Sequence, residues 1–127
     1  MKISFSVVPG DYAVARLGPA EPVLGGIESG RFFAVTRTEE ELSIVCAQQA
    51  VPKGARAERG WALLKLRGPF AFDQVGVLAS VLAPLAEAGV SIFAVSTFDT
   101  DYLLVKQDRL AAAVAALSSA GHRRIDR

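Results

Sequence analysis

The chain has 127 residues, about half of them apolar and a fifth charged, which is enough for a packed core and argues against disorder. A net charge of +1 supplies no basic field for nucleic acid or an anionic membrane. The single cysteine excludes an internal disulfide, and no apolar run reaches the ~18 residues of a membrane span. The start, MKISFSVVPGDY, lacks the apolar core of a signal peptide, so a reducing cytoplasm is the expected setting.

Residues 2–7 alternate, with Ile3, Phe5 and Val7 on one side, and read as a half-buried strand. Pro9-Gly10-Asp11 is expected to break it, with a second strand over residues 12–17 (YAVARL) ending at Gly18-Pro19. Residues 20–30 have room for one short helical turn at most. Residues 32–36 and 42–46 then read as a hairpin around an acidic turn, with Cys46 as a buried structural thiol at its end. Residues 47–60, with Pro52, Gly54 and Gly60, form a connector and the best internal boundary.

Residues 61–66 (WALLKL) are the next strand. A helix follows, with Asp73 as its N-cap and Val77, Leu78, Val81, Leu82 and Leu85 on its apolar face. Gly89 stops it, and Pro84 inside the pattern predicts a kink or a second short segment. Residues 90–105 (VSIFAVSTFDTDYLLV) form a second hairpin, whose turn carries Asp99 and Asp101. Residues 107–120 form a final helix with Leu110, Val114 and Leu117 on one face, stopped by Gly121. The tail, HRRIDR, is expected to be polar and ordered only in part.

The chain repeats itself. At an offset of 60, Phe33, Ala34, Val35 and Val45 match Phe93, Ala94, Val95 and Val105, which sets Thr36 on Ser96, Glu39 on Asp99 and Glu41 on Asp101. At an offset of 49, YAVARL-GP matches WALLKL-RGP, and the difference is the helix-like stretch inserted in the second copy. The second copy is therefore β-α-β-β-α, and the first keeps the strands with its helices shortened or missing.

Little in the sequence carries catalysis. The one histidine, His122, lies in the tail, so no Ser-His-Asp or Cys-His set can be assembled, and no residues have metal-ligand spacing. Phe5, Phe33 and Phe93 are expected to pack in the core rather than stack bases. What remains is a pocket. The helix start near Asp73-Gln74-Val75-Gly76 offers unpaired amides and partial positive charge, suited to a carboxylate, and Gly76 allows close approach to its backbone. The turn 97–101 offers hydroxyls and two carboxylates, suited to an ammonium or guanidinium. Together they suit a zwitterion, above all an amino acid. The plainer alternatives are that acids are common at hairpin turns and that Gly76 is a helix–sheet packing residue.

FFAVTRTEEELSIVC, FDQVGVLASVLAPLAEAGVSIFAVSTFDTDYLLV and the closing helix resemble the ACT-domain family, specifically the tandem-ACT branch that includes the CASTOR-type arginine sensors. The resemblance implies an α+β fold of two ferredoxin-like ACT modules (β-α-β-β-α-β type) in tandem: a degenerate one over residues 1–57 with reduced helices, and a well-formed one over residues 58–127. It implies a regulatory protein that binds ligand and is not an enzyme; no cofactor and no metal are expected, and the expected setting stays cytoplasmic. Carried over by motif, one part of an amino-acid pocket lands on Gln74, Gly76, Val77, Thr97, Phe98 and Asp101, and another on Ser91 and Ile92. Because this chain has one module pair, a homodimer is expected, with Ser91 and Ile92 of one subunit completing the pocket of the other. The first copy has Arg31-Phe32 at the Ser91-Ile92 positions and Thr38 at Phe98, and is expected to serve as packing support. Gln74 stands where the sensors have an acid, which leaves the ligand's identity open. The alternatives are a structural or protein-partner-binding ACT module with a vestigial pocket and no ligand, or a small enzyme using Asp99 and Asp101 as acid/base groups.

Overall fold

A computed structural model describes residues 1–23 and 25–126. The elements are β1 (Ser4–Leu17), β2 (Ala34–Arg37), β3 (Leu42–Ala47), β4 (Arg56–Leu66), α1 (Val77–Glu87), β5 (Phe93–Ser96), β6 (Asp101–Lys106), α2 (Leu110–Ser119) and β7 (Arg123–Arg124). Short 3-10 turns cover Gln48–Ala50 and Gln107–Arg109.

The chain divides into two compact units, one of Met1–Pro9 with Ala62–Arg127 and the other of Gly10–Trp61. These boundaries differ from a linear division between residues 57 and 58. The reason is that β1 and β4 are long strands whose halves belong to different units. Pro9-Gly10 does not end the first strand as expected. Gly10 takes a φ of +117°, a conformation side chains rarely adopt, and the strand continues through it. Likewise β4 begins at Arg56, inside the stretch expected to be a connector.

In the unit holding Ala62–Arg127, which we call unit 1, the strand order is β7-β1-β4-β6-β5. Alternation sends Phe5, Leu64, Leu66, Leu103 and Val105 to one face of the sheet. There they pack with Val77, Val81 and Leu85 of α1 and with Ala113 and Leu117 of α2, all buried. Both helices thus lie on one side of the sheet. The α1 cap is Gly76, in the left-handed conformation at φ 84°, not Asp73, which lies in the preceding turn. Pro84 neither splits nor ends the helix, which runs without interruption to Glu87.

The C-terminal tail is tied down, contrary to expectation. β7 pairs in parallel with β1, Ser4 opposite Arg123 and Phe5 opposite Arg124. The Val7 N–H donates to Asp126 Oδ1 at 2.9 Å, and Arg124 grips the same carboxylate at 3.0 and 3.1 Å. Of the tail, Arg127 lies outside the described residues. His122 is 5% exposed, hence a core residue and not part of a polar tail.

In the other unit, unit 2, the order is β2-β3-β1-β4. Its core is Ala15, Ile27, Leu42, Ile44 and Cys46. Burial pushes the Cys46 thiol up from its ordinary pKa, which keeps it protonated and unreactive. Phe33, expected in the core, is 46% exposed. The described residues of 18–33 form turns without helix or strand.

The two hairpins match, one residue out of step with the alignment that sequence identity suggests. Ala34 pairs with Val45 and Arg37 with Leu42, as Phe93 pairs with Leu104 and Ser96 with Asp101. The structural offset is therefore 59. The FAV identity at offset 60 is a coincidence of composition, since a one-residue shift turns every side chain to the opposite face. At offset 59, Ile44 falls on Leu103 and Cys46 on Val105, and all four face the cores of their units. Asp101 then corresponds to Leu42, Asp99 to Glu40, Phe98 to Glu39, and Thr97 to Thr38.

Candidate ligand-binding site

One cavity of about 370 Å³ lies in unit 1 between the loop after β4, the first turn of α1 and the β5–β6 turn. Six of the eight residues expected at the site line it: Gln74, Gly76, Val77, Thr97, Phe98 and Asp101. Ser91 and Ile92 do not. Ser91 is exposed, and Ile92 is half-buried against the unit 1 core.

The loop is welded to the turn. The Phe70 N–H donates to the Asp99 carbonyl at 2.8 Å, and Thr100, 7% exposed, donates its hydroxyl to the Leu66 carbonyl at 2.7 Å. Gly68 allows this approach, because a Cβ there would lie 2.7 Å from the Asp99 carbonyl oxygen. The turn is closed by Thr97, whose N–H reaches the Thr100 carbonyl at 2.8 Å. On the other side, the first helical bond runs from the Ser80 N–H to the Gly76 carbonyl at 2.9 Å. Helical geometry leaves the N–H groups of Val77, Leu78 and Ala79 without partners within the helix. A Cβ on Gly76 would meet nothing within 4 Å. That glycine is therefore required by its positive φ and is not a helix–sheet packing residue.

The cavity's charge is one-sided. Asp99 and Asp101 line it, and no lysine or arginine does among the described residues. Asp101 accepts a hydrogen bond from the Ser96 hydroxyl, which fixes one carboxylate oxygen beside the turn. The helix start supplies the complementary partial positive charge. Apolar surface completes the wall. Phe72 and Phe98 meet edge to face with centroids 4.8 Å apart, and both are 78% exposed. Sequence reasoning did not find Phe70, Phe72 and Ser96. The signal was the alternation of Phe70-Ala71-Phe72 and the position of Ser96, directly opposite Asp101 in the ladder.

A smaller cavity of about 200 Å³ shares Thr97, Asp99 and Thr100 with the first and is bounded by Lys65 and Tyr102. The Lys65 ammonium sits 5.9 Å from the centroid of the Tyr102 ring, a cation–π contact. The described residues contain no group of three metal-ligating side chains. No helix among them is long and apolar enough to cross a membrane.

The family model of the ACT domain matches residues 56–119. The chain belongs to the ACT-domain family. A second family model, described as an N-terminal domain, matches residues 10–54 of this ACT protein. The chain is 32% identical over 109 residues to the rat cytosolic arginine sensor for mTORC1 subunit 1, a match covering 78% of this chain and 33% of the sensor. The ACT protein thus spans about a third of the length of that curated relative. Among solved structures, an Agrobacterium tumefaciens protein is 41% identical, with a TM-score of 0.92 over 98% of this chain and 93% of that one. A Vibrio cholerae protein of unknown function, described as a possible transport protein, shares the fold at 22% identity and a TM-score of 0.74, over 94% of this chain and 91% of that one.

Proposed function

We propose that this protein is a regulatory module that binds an amino acid or a similar small zwitterion in the unit 1 cavity. The observation that carries the reading is the convergence of Gln74, Gly76, Val77, Thr97, Phe98 and Asp101 on one cavity that takes in both the start of α1 and the carboxylates of the hairpin turn. The ligand carboxylate meets the N–H groups at the start of α1, and its ammonium meets Asp101. The side chain lies against Phe72 and Phe98. The rat relative is a cytosolic arginine sensor, which supports an amino acid as the class of ligand and the cytosol as the setting. Gln74 is uncharged, so the pocket has fewer acids to hold a cationic side chain.

The tandem organisation in this reading is one reduced ACT-like module and one well-formed module, and the well-formed module carries the site. Ser91 and Ile92 stay in the proposal through a second copy of the chain, which brings them to the partner's open cavity in a homodimer. Binding, not catalysis, is the activity. The one histidine supports this, since both its ring nitrogens are engaged by backbone groups, Nδ1 with the Ile3 N–H at 3.0 Å and Nε2 with the Ser80 carbonyl at 2.8 Å.

The second reading is a structural or partner-binding ACT module with no ligand. It is favoured by the exposure of Phe72, Val75 and Phe98 beside the cavity, an apolar surface that a protein partner would cover. A screen of the twenty amino acids by thermal shift separates the two. Stabilisation by a subset, removed in Asp101→Ala, supports the ligand site. Absence of any shift, with the protein shown to be dimeric, supports the second reading.

A further inference from the structure

The hairpin turns of the two units are built alike. The Thr38 N–H donates to the Glu41 carbonyl at 2.9 Å, as the Thr97 N–H does to the Thr100 carbonyl at 2.8 Å. In each turn the threonine hydroxyl oxygen also accepts a backbone N–H, that of Glu41 at 3.1 Å and that of Thr100 at 3.3 Å. With these turns aligned, Arg37 stands where unit 1 has Ser96. From the strand alignment, Arg16 stands where unit 1 has Lys65, and Gly18-Pro19 where it has Gly68-Pro69.

What fills the space between loop and turn differs. In unit 1 the loop closes on the turn through its own backbone, Phe70 N–H to Asp99 carbonyl, and the short Ser96 leaves the cavity open. In unit 2 guanidinium groups make the connection. Arg37 donates through Nη1 to the Pro19 carbonyl and through Nη2 to the Glu21 carbonyl, the latter at 2.9 Å. Arg16 donates to the Glu40 carbonyl at 2.9 Å, and Glu40 is the counterpart of Asp99.

We infer that Arg37 is a built-in occupant of the unit 2 counterpart of the ligand cavity. Its planar fork satisfies two loop carbonyls at once, which a lysine ammonium on a flexible stem does not reproduce. It ties the loop at Pro19 and Glu21 to the hairpin in the way a bound guanidinium compound would. The consequence is that, among the described residues, the site between loop and hairpin turn stays open in unit 1 and is closed in unit 2 by the protein's own side chain.

The test uses no amino acid and reads the difference between the variant and the wild type, which share an intact unit 1 cavity, so its outcome is separable from that of the unit 1 ligand reading. Arg37→Ala is expected to lower the melting temperature by several degrees. Methylguanidinium at tens of millimolar is expected to stabilise the variant more than it stabilises the wild type, whose unit 1 carboxylates are open to the same cation, and methylammonium is expected to stabilise both equally. A variant that melts like the wild type, or one that methylguanidinium stabilises no more than it stabilises the wild type, overturns the inference. Should the variant not fold, the wild-type protein still decides. At low temperature, resolved and separate Arg37 Nη–H resonances are expected from a guanidinium held on two carbonyls. A single averaged signal contradicts it.

Discussion

His122 donates a hydrogen bond from Nε2 to the Ser80 carbonyl, 2.8 Å away, and that carbonyl is the one whose helical partner would be residue 84, a proline. Proline has no N–H, and its ring crowds the carbonyl four residues earlier. The imidazole replaces the missing donor. Its other nitrogen accepts from the Ile3 N–H at 3.0 Å, which places the ring proton on Nε2. This compensates for Pro84 within the continuous α1, and it anchors the helix whose first turn lines the cavity.

The pairing predicts coupling between residues 84 and 122. His122→Ala leaves the buried Ile3 N–H and the part-buried Ser80 carbonyl unpaired and is expected to cost about 1–3 kcal/mol in chemical denaturation. Pro84→Ala returns an N–H to the Ser80 carbonyl. In the His122→Ala background it should recover more stability than in the wild type, by at least about 0.5 kcal/mol. Strict additivity would show that the two residues do not share the carbonyl.

Gly68 sets the distance between the loop and the turn. A Cβ there would stand 2.7 Å from the Asp99 carbonyl oxygen and 3.0 Å from Thr100 Cβ, and neither is the free end of a flexible chain. Gly68→Ala should displace the turn and destabilise the protein by about 1–3 kcal/mol. In amide spectra, the shifts should concentrate at Phe70 and residues 97–101. Changes confined to the substituted residue would contradict this.

Asp126 gives the fold an acid-sensitive latch. The hydrogen bond from Arg124, with a further one from the Val7 N–H, holds its carboxyl below the usual carboxylate pKa. A pKa lowered on folding contributes stability that is present above the unfolded-state value and lost as the pH falls through the folded-state value. Asp126→Asn should therefore cost about 1 kcal/mol at neutral pH, a figure kept small because the Arg124–Asp126 pair is partly exposed. The difference from the wild type should shrink towards zero in acid. A difference that is constant with pH would assign the effect to packing.

The sequence was most legible where local periodicity and tertiary packing agree. Val77, Val81 and Leu85 recur at helical spacing and are buried as that spacing requires. The paired runs 32–36 and 42–46, and 90–105, do form hairpins. It was least legible where a distant partner decides. Pro9-Gly10 reads as a break, yet β1 continues because it has partners on both sides of that point, β7 at Ser4–Phe5 and β3 from Tyr12 onward. His122 reads as tail because its partners, Ile3 and Ser80, are far away in sequence. The FAV identity sets the repeat at an offset of 60, one residue out of step with the turn threonines Thr38 and Thr97 and with the strand ladders. At the site, six residues from two separate motifs converge on the cavity. Ser91 and Ile92 remain outside it, and one chain alone does not bring them there.

Asp101 bears most directly on the central claim that the cavity holds a zwitterion. Isothermal titration of the amino acids that raise the melting temperature should be made with the wild type, Asp101→Asn and Asp99→Asn. Loss of a carboxylate facing an ammonium is worth about 2 kcal/mol or more, so Asp101→Asn should weaken binding at least about 30-fold. Asp99→Asn, with its backbone carbonyl still held by Phe70, should weaken it far less. Binding of an amino acid with unchanged affinity in Asp101→Asn would contradict the account.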